Sequence, residues 1–342
     1  MTSITTIDAL ERRIKAIFLH CGMSEVQANS VARVIAAGER DGCKSHGIFR
    51  VEGVLRTLKA GKVQGNAVPK LLETSGAIVR VDGQSGFSNP AFDLGMPKLV
   101  EAARKFGLAA LVVNDCTHFA ALWPEVEAIT AQGLAALVMC PSYATVAPWG
   151  GSKPLLGTNP LAFGWPREGD TDFVFDFATS VVARGEIDLH SREGKPLPDG
   201  WAIDAEGEPT TVAEAALAGA MLPFGGHKGS ALSMMIELLA GVMIGDLTSA
   251  ESLDYLGTTG LSPRHGELII ALSPEKFAAG RPGNPLARAE VLFDAVAEQG
   301  ARLPSQRRFA ARARSLSGGI ALTSAHEEQL DRLLTLGLDA VR

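Results

Sequence analysis

The sequence predicts an α/β protein that carries a helical part at each end. Apolar residues recur at helical spacing over the first sixty residues and again in residues 286–342, whereas short apolar runs alternate with amphipathic segments in between. A third observation narrows the class, because the first predicted strand is followed by Gly83-Gln84-Ser85-Gly86 and not by the G-x-G-x-x-G turn of a Rossmann fold. The chain therefore binds no dinucleotide, or binds one in a different α/β fold.

The N-terminal part, residues 1–68, is predicted to contain three helices. The apolar face of the first helix is formed by Ile7, Leu10, Ile14, Ile17 and Phe18. Ser24 and Gln27 have the spacing of a capping box, so a second helix is expected from there to the glycines at Gly38 and Gly42. Ser45 is expected to cap a third helix over residues 47–60.

The middle part, residues 69–285, is predicted to form the α/β core. Its strand-like runs are Ala77–Val81, Ala109–Val113, Leu134–Met139, Phe173–Phe177 and Leu268–Leu272. Helices are expected over Pro90–Phe106 and Pro124–Gln132, and over Ser230–Met243, which is apolar nearly all round and is therefore predicted to be buried. A loop-rich segment is expected at about residues 141–170, and a second region of turns over Gly185–Gly219.

The C-terminal part, residues 286–342, is predicted to be helical and to pack on the N-terminal part. Helices are expected over Ala287–Gln299 and Gln306–Ser315. A last helix is expected after the capping pattern Ser324-x-x-Glu327.

Composition excludes several classes of function. The 342 residues carry 32 basic against 38 acidic side chains, a net charge of −6 that argues against nucleic-acid binding. Four dispersed cysteines without a C-x-x-C pair, and seven scattered histidines, give no support for a metal site and fit a reducing compartment. The amphipathic start is unlike a signal peptide, and the longest apolar stretch is too short and too polar to cross a bilayer. We expect a soluble, cytoplasmic protein.

The strongest local signal is the segment Lys44-Ser45-His46-Gly47-Ile48-Phe49-Arg50. If a helix begins here, His46 and Arg50 lie one turn apart on one face, near the positive helix N-terminus. A guanidinium pairs well with a carboxylate, and an imidazole exchanges a proton near neutral pH, so the pair describes a site for a small carboxylic acid. The alternative is that His46 caps a turn and Arg50 points into water.

Four other segments could contact a ligand. These are Leu222–Ser230, Asn114–Phe119, Gly157-Thr158-Asn159-Pro160 and Arg302–Arg308. The first has glycines and Lys228 before a helix, which suits an anion or a tight turn, and it is not a Walker A loop. The second follows a strand and the fourth is basic, so both suit ligand contacts. A lone histidine in such a loop is more often structural, and most such basic clusters are solvated faces. A plain turn explains the third.

Five ordered motifs carry a resemblance to a known family. They are Ser45-His46-Gly47-x-x-Arg50, Gly157-Thr158-Asn159-Pro160, Phe175-Asp176-x-Ala178-Thr179-Ser180, Pro223-x-Gly225-Gly226-x-Lys228-Gly229 and Arg302-x-Pro304. The chain resembles the malate/L-lactate dehydrogenase family that is unrelated to the Rossmann-type dehydrogenases. Two further stretches, His118–Pro124 and Gly226–Met234, look like those of the Δ1-piperideine-2-carboxylate/Δ1-pyrroline-2-carboxylate reductases in this family.

The resemblance implies an L-sulfolactate/malate dehydrogenase-like fold with a mixed sheet, NAD(P)H use without a Rossmann fingerprint, and a homodimer. Residues 1–68 would be a substrate and dimer part, residues 69–285 the NAD(P)H-binding core, and residues 286–342 a part that packs on the first. No metal, nucleic acid or membrane partner is implied. The cofactor would be NADPH, with NADH as the alternative, because Arg302, Arg307 and Arg308 could meet a 2′-phosphate.

The resemblance also assigns roles to residues of this sequence. Ser45 and His46 would be relay and proton donor, Glu186 would match the relay acid, and Arg50 and Thr158 would hold the substrate. The implied cofactor contacts are Asn114, Asp115, Cys116, Thr117, His118, Asp176, Phe177, Ala178, His227, Lys228, Arg302, Pro304, Ser305, Arg307 and Arg308. Two positions depart from the family pattern: Glu186 stands in place of an aspartate and Ser305 in place of a glycine.

These roles describe a reductase for small cyclic imino acids, in which Arg50 binds the carboxylate and His46 supplies the proton. Two alternatives stay open. A 2-hydroxy-acid dehydrogenase of the malate, lactate or ureidoglycolate type would use the same pocket chemistry, because C=O and C=N sit equally beside a carboxylate. A non-catalytic ligand-binding protein could also have kept the fold.

Overall fold

A seven-stranded mixed sheet with helices on both faces forms the middle of the chain in the computed structural model, which describes residues 2–72, 76–169 and 171–341. The predicted α/β class is confirmed. The strands are β1 Thr2–Thr5, β2 Lys70–Leu71, β3 Ile78–Asp82, β4 Leu108–Thr117, β5 Ala135–Met139, β6 Leu161–Trp165, β7 Phe173–Phe177, β8 Ala202–Ile203, β9 Pro209–Thr210, β10 Ala220–Met221, β11 Arg264–Leu272 and β12 Ile320–Thr323.

The helices connect and cover these strands. They are α1 Ile7–His20, α2 Glu25–Arg40, α3 Phe49–Lys59, α4 Ser88–Phe106, α5 Trp123–Thr130, α6 Arg184–Glu193, α7 Ala213–Ala218, α8 His227–Glu237, α9 Ser249–Leu256, α10 Pro274–Phe277, α11 Pro285–Glu298, α12 Gln306–Gly318 and α13 Ser324–Leu336. Short turns of 3-10 helix occur at Lys44–His46 and Gly337–Ala340, and a π-helical turn, Leu238–Val242, continues α8.

The large sheet has the strand order β2-β3-β4-β11-β5-β6-β7. Only β3 and β4 pair in parallel, and the other neighbours are antiparallel. The end of β4 therefore lies beside the start of β11, where Thr117 is opposite Arg264. Because β4 is central, the loop that follows it opens directly onto the edge of the core, where ligand-binding loops are common.

Each face of the sheet is covered by apolar side chains. On one face, Leu99 of α4 and Ile129 of α5 pack with Leu111 in a fully buried cluster. On the other face, Ile236 and Ala240, from α8 and the π-helical turn, pack on the sheet. Burial of this apolar surface is the main stabilising contribution to the layer arrangement.

The N-terminal helices form a second core together with the end of the chain. Leu10, Ile14 and Ile17 of α1 pack with residues of α2 and α3 and with Leu330 and Leu333 of α13. Strand β1 pairs with β12 in a two-stranded ribbon that joins the two chain ends. The sequence did not predict this ribbon, because four residues are too few to establish a period.

Several predicted boundaries were wrong. Helix α2 continues through Gly38, one of its predicted stops, and ends at Arg40, directly before the other predicted stop at Asp41-Gly42. Helix α3 begins at Phe49, so Ser45 does not cap it but lies in the preceding 3-10 turn. Gln27 does not complete a capping box, since its side chain bonds Ala67 O and Phe87 N instead. The cap of α13 is Thr323, one residue before the predicted Ser324.

Two of the regions predicted as turns contain regular structure. Residues 184–218, within the region predicted as turns, hold α6, α7 and two short strands, because Ile187 and Ala213 bury their side chains in a small core of their own. The loop-rich segment about 141–170 also contains β6.

The apolar run predicted as a buried helix, Ser230–Met243, is buried on one side only. The side chains of Leu238 and Val242 are each 59% exposed, although Ile236 is fully buried. The helix therefore leaves an apolar face exposed in this chain. Across the described residues, none of the helices combines the length and the apolar run that crossing a bilayer requires.

Candidate active site

The segment that carries Ser45, His46 and Arg50 is shaped by the end of α2. The buried carboxylate of Glu39 accepts a hydrogen bond from the Ile48 N–H at 2.9 Å, and its other oxygen pairs with Lys44 at 2.5 Å. Gly47 has no side chain, which leaves space for the Glu39 carboxylate. The 3-10 turn is therefore fixed to α2 from inside the protein.

Gly38 was predicted to end α2, but in the structure it provides space for packing. A Cβ atom built at Gly38 would lie 2.5 Å from the carbonyl oxygen of His46. The 3-10 turn consequently rests directly on the backbone of α2. Only glycine allows this close approach.

We expect Gly38→Ala to displace the His46 turn. Overpacking of this kind costs about 1–3 kcal/mol of unfolding free energy, and turnover should fall with it. Gly53→Ala is the matched control, because a Cβ at this other helix-interior glycine meets nothing within 4 Å. That change should raise the unfolding free energy by about 0.5–1 kcal/mol. Urea titration of both variants checks the pair, and equal behaviour would contradict the packing argument.

The predicted trio is brought together, but not on one helix. Gly47 has a ψ of −138°, which breaks the chain direction between the 3-10 turn and α3. Ser45 Oγ lies 3.0 Å from Nδ1 of His46, and Nε of Arg50 donates to the Ser45 carbonyl oxygen at 2.7 Å. A serine hydroxyl, an imidazole and a guanidinium thus share one small volume.

The pKa shifts of His46 and Arg50 indicate that this volume is shielded from water. His46 and Arg50 remain partly exposed, yet burial together with the positive charge of Arg50 lowers the pKa of His46 to about 3. Burial also lowers the pKa of Arg50. A bound carboxylate would offset the charge of Arg50 and raise the pKa of His46 again, so the imidazole is tuned to gain a proton when an acid binds.

Residues that are distant in sequence lie around the Ser45–His46–Arg50 group. The hydroxyl of Tyr143 is within electrostatic range of Arg50, Arg184 and Asp188, and burial raises the pKa of Tyr143. Tyr143 donates to the carbonyl oxygen of Thr259 at 3.1 Å, and Arg184 donates to the hydroxyl of Thr259 at 3.2 Å. Sequence analysis missed this group. The signal available was the polar stretch directly after the apolar strand β5.

Glu186 and Thr158 occupy different settings. Glu186 is exposed in the first turn of α6, whereas Asp188 on the same helix acts on Tyr143. Thr158 is half-buried, and its carbonyl oxygen accepts from the Thr179 N–H at 2.8 Å. The roles predicted for both residues stay predictions.

The turn that contains Thr158 is more than a plain turn. Asn159 is fully buried with a positive φ of 32°. Its amide nitrogen donates to Glu237 at 2.8 Å, and its amide oxygen accepts from Ser249 at 3.0 Å. This buried network holds Thr158 in place, and its partners in α8 and α9 are distant in sequence.

The predicted cofactor contacts at the end of β4 divide into two groups. Asn114 and the backbone of Asp115 are fixed by Asp246, and Asp115 also pairs with Arg264. Cys116, in contrast, is fully buried with Sγ 3.2 Å from the carbonyl oxygen of His265. A cofactor contact through the thiol would require a rearrangement.

The other side of the expected cofactor site has two helix N-termini. His227 and Lys228 are exposed in the first turn of α8, after Gly225 and Gly226 with φ values of 57° and 62°. Ser305 precedes α12 with a φ of 63°, in the left-handed conformation that a glycine would favour. Exposed N–H groups and basic side chains at helix N-termini suit phosphate groups.

Not all of the basic residues predicted for phosphate binding are available. Arg302 and Arg307 are exposed. Arg308 is buried, pairs with Asp41 at 3.0 Å and with Glu127 at 2.5 Å, and lies over the ring of Trp123. The Arg308 guanidinium therefore joins the N-terminal part to the core, and its predicted phosphate contact would have to compete with these ion pairs.

Asp176 links the core to the loop before α5. Its carboxylate accepts from the N–H groups of Leu122 and Trp123 at 2.8 and 3.0 Å. Burial raises the pKa of Asp176 to about 6, against the opposing effect of these two hydrogen bonds. Phe177 and Ala178, predicted to contact the cofactor with it, are exposed and half-exposed.

Comparison with known proteins places the chain among oxidoreductases of one fold. The sequence profile described as malate/L-lactate dehydrogenase matches residues 5–331. A protein from Agrobacterium fabrum named Delta(1)-pyrroline-2-carboxylate reductase is 68% identical over 341 residues, which is 99% of each chain. The solved structure of delta1-piperideine-2-carboxylate reductase from Pseudomonas syringae is 43% identical, with a TM-score of 0.93 over 97% of this chain and 99% of that one.

The fold is shared more widely than the sequence. Sulfolactate dehydrogenase from Methanocaldococcus jannaschii superposes with a TM-score of 0.83 over 99% of both chains at 24% identity. The predicted L-sulfolactate/malate dehydrogenase-like fold is confirmed.

Proposed function

The chain belongs to the malate/L-lactate dehydrogenase family, and we propose on that footing that it reduces small cyclic imino acids with a nicotinamide cofactor. The substrates are Δ1-pyrroline-2-carboxylate, which gives proline, and Δ1-piperideine-2-carboxylate, which gives pipecolate. The observation that carries the proposal is the Ser45–His46–Arg50 arrangement, with Ser45 Oγ 3.0 Å from the His46 ring and Arg50 held to the Ser45 carbonyl oxygen.

Arg50 and His46 supply binding and proton transfer. The Arg50 guanidinium pairs with the carboxylate of the substrate, which brings the neighbouring C=N bond beside His46. Burial and the charge of Arg50 both lower the pKa of His46, and the pairing removes the second of these effects, so substrate binding favours the protonated imidazole. His46 gives this proton to the ring nitrogen, while Ser45 orients the imidazole through Nδ1.

The described residues fit a nicotinamide dinucleotide. Two helix N-termini with glycine or left-handed turns, at Gly225–Gly226 and Ser305, offer N–H groups to phosphates. Lys228, Arg302 and Arg307 are exposed beside them. When bound, the reduced nicotinamide supplies the hydride that the imine carbon receives. These three exposed cations support NADPH over NADH, since a 2′-phosphate needs a cationic partner.

A substrate panel tests the function. Oxidation of NADPH and of NADH is followed at 340 nm with Δ1-pyrroline-2-carboxylate, Δ1-piperideine-2-carboxylate, pyruvate and oxaloacetate. We expect turnover with the two imines, faster with NADPH. Turnover with the two oxo acids alone would replace the proposal by a 2-hydroxy-acid dehydrogenase. Tight NADPH binding without turnover of any compound would indicate a binding protein.

We further propose that the protein is a homodimer whose interface includes the exposed side of α8 and the π-helical turn. Met234, Leu238, Val242 and Met243 form this apolar surface, and each is at least 47% exposed. Contiguous apolar residues at helical spacing are typical of a covered face. The unpaired cysteines fit a reducing compartment, so we place the enzyme in the cytoplasm.

Leu238→Glu is expected to convert the dimer into a monomer, because a charge at the centre of an apolar interface would be buried without a partner. Light scattering after size-exclusion chromatography measures the mass directly. Val291→Glu is the matched control, since Val291 lies on α11 and is 70% exposed outside this surface. Loss of the dimer in both variants, or in neither, would contradict the assignment.

A further inference from the structure

Beside the candidate site lies a row of buried polar side chains whose atoms have no hydrogen-bond partner among the described residues. They are Nε2 of His118, both carboxylate oxygens of Glu267, Oε2 of Glu125, and Nδ2 and Oδ1 of Asn89. All four side chains are at most 3% exposed. Because buried polar groups are almost always hydrogen-bonded, such a concentration of unsatisfied atoms indicates internal water or a function.

The row is continuous in space. Nε2 of His118 lies 3.8 Å from Oε1 of Glu267, and one ligand atom each of His118, Glu125 and Glu267 lies within 4.8 Å of the other two. The backbone places them there: the His118 N–H bonds the Pro263 carbonyl oxygen, and a bulge between His265 and Glu267 shifts the register of β11. Bulges commonly re-aim side chains beside active sites.

The two ends of the row meet different environments. At the outer end, Glu125 and Asn89 line a cavity of about 240 Å³, a volume large enough for several waters. The cavity wall includes Arg33 and Asp93, whose side chains are 48% and 36% exposed and connect it with solvent. At the inner end, His118 is within electrostatic range of His46 and Arg50.

We propose that Glu125, Glu267 and His118 form a proton relay from this cavity to His46. The inference rests on the proposed function, in which His46 loses one proton per turnover. Substrate and cofactor then occupy the cleft side of His46, so a route through the protein interior restores the proton without opening the cleft.

The relay is balanced in protons and charge. Glu267 gives its proton to Nε2 of His118, and His118 releases its Nδ1 proton towards His46. A proton exchange between the two ring nitrogens then restores the starting tautomer of His118. Glu125 and then cavity water return a proton to Glu267. Only O–H and N–H bonds break and form, so the relay needs no oxidant or reductant.

The protonation states suit these steps. Burial raises the pKa of Glu267 to about 8, so this carboxyl carries a proton at neutral pH. Burial also raises the pKa of Glu125 well above its usual range, which favours the protonated form there too. Burial and the nearby His265, His46 and Arg50 keep the pKa of His118 well below its usual value. A neutral His118 with a free Nε2 can accept a proton from Glu267.

Other charged groups act on the row without entering it. Asp176 and Asp93 act on Glu125. A divalent cation held by His118, Glu125 and Glu267 would also explain unsatisfied atoms there. It would not explain the unpartnered side chain of Asn89 or the cavity of about 240 Å³, so the observations favour the relay.

The variants Glu267→Gln and Glu125→Gln test the relay, since each keeps shape and polarity but loses the titrating proton. We expect kcat with Δ1-pyrroline-2-carboxylate to fall at least tenfold, KM and NADPH affinity to stay unchanged, and the solvent isotope effect in D2O to increase. Formate, a small carboxylate that can take up a proton from water and pass it on in place of the Glu125 carboxyl, should restore part of kcat in Glu125→Gln. Ser252→Ala, which removes another buried unpartnered atom, is the control and should keep wild-type kcat.

Three results would overturn the relay. One is an unchanged kcat in both folded glutamine variants. Another is a loss of activity that follows the folded fraction, measured by circular dichroism, with the wild-type isotope effect. The third is a stoichiometric divalent metal in the wild-type protein that is absent from Glu267→Gln. All three results are compared with the turnover of the wild-type protein. If the wild-type protein has no turnover, the proposed function is refuted and the relay is not what fails.

Discussion

Replacing His46 by alanine is expected to lower kcat by about 10²–10⁴-fold, the range of a lost general acid. The Kd for NADPH should stay unchanged, because His46 lies in the 3-10 turn Lys44–His46 and the predicted phosphate contacts lie at α8 and α12. Stopped-flow measurement of hydride transfer and fluorescence titration of NADPH separate these two quantities. A His46→Ala variant with full turnover would remove the proposed proton donor.

Ser45→Ala is expected to lower kcat less than His46→Ala does. The serine hydroxyl lies 3.0 Å from Nδ1 of His46 and touches the imidazole on the side away from the proton it donates. Its loss frees the ring to rotate, so we expect a drop in kcat of about tenfold, as for one neutral hydrogen bond. A larger effect for Ser45→Ala than for His46→Ala would reverse the assigned roles.

The proximity of Ser45, His46 and Arg50 was predictable from sequence, but the structural reason for it differs from the predicted one. Spacing alone suggested that His46 and Arg50 share a helical face. In the structure Gly47 breaks the helix, and the carboxylate of Glu39 together with the space left by Gly38 holds the turn. Both residues belong to α2, and no local pattern connects them with the turn.

Residues from distant elements could not be predicted, since strand order determines which ones meet. His118 ends β4 and Glu267 lies in β11, and these two strands are neighbours only because β11 inserts between β4 and β5. Tyr143 follows β5 and Asp188 lies on α6, and the fold brings these two residues within electrostatic range of each other. The sequence shows such residues as isolated polar positions in apolar surroundings, which fits a structural role equally well.

The burial of Cys116 and Arg308 shows a further limit. Both belong to segments that are close to the expected cofactor site, and the segments were predicted whole. The direction of each side chain depends on the tertiary partner: the thiol faces His265, and the guanidinium faces Asp41 and Glu127. Segment-level resemblance therefore does not determine which side chains of a predicted segment face outward.

Arg50→Met is expected to lower kcat/KM by roughly 10²–10⁴-fold, because the substrate carboxylate would then be desolvated without a partner, at about 3–5 kcal/mol. The loss should appear in KM and in kcat together, since an unanchored substrate also presents its C=N bond poorly to His46. Steady-state kinetics with Δ1-pyrroline-2-carboxylate over a wide concentration range measures both.

The same variant gives an independent signal in the substrate-free protein. Arg50 is one of the two causes that lower the pKa of His46, so its removal should move that pKa upward from about 3. NMR titration of the His46 ring in wild-type and Arg50→Met protein measures the shift. Arg50→Lys is the control, because it keeps the charge near His46 but loses the bidentate fork, so the pKa of His46 should stay low while KM rises. An unmoved pKa of His46 in Arg50→Met would mean that the guanidinium does not act on the imidazole. The proposal that His46 and Arg50 form one site for a carboxylic acid would then lose its physical basis.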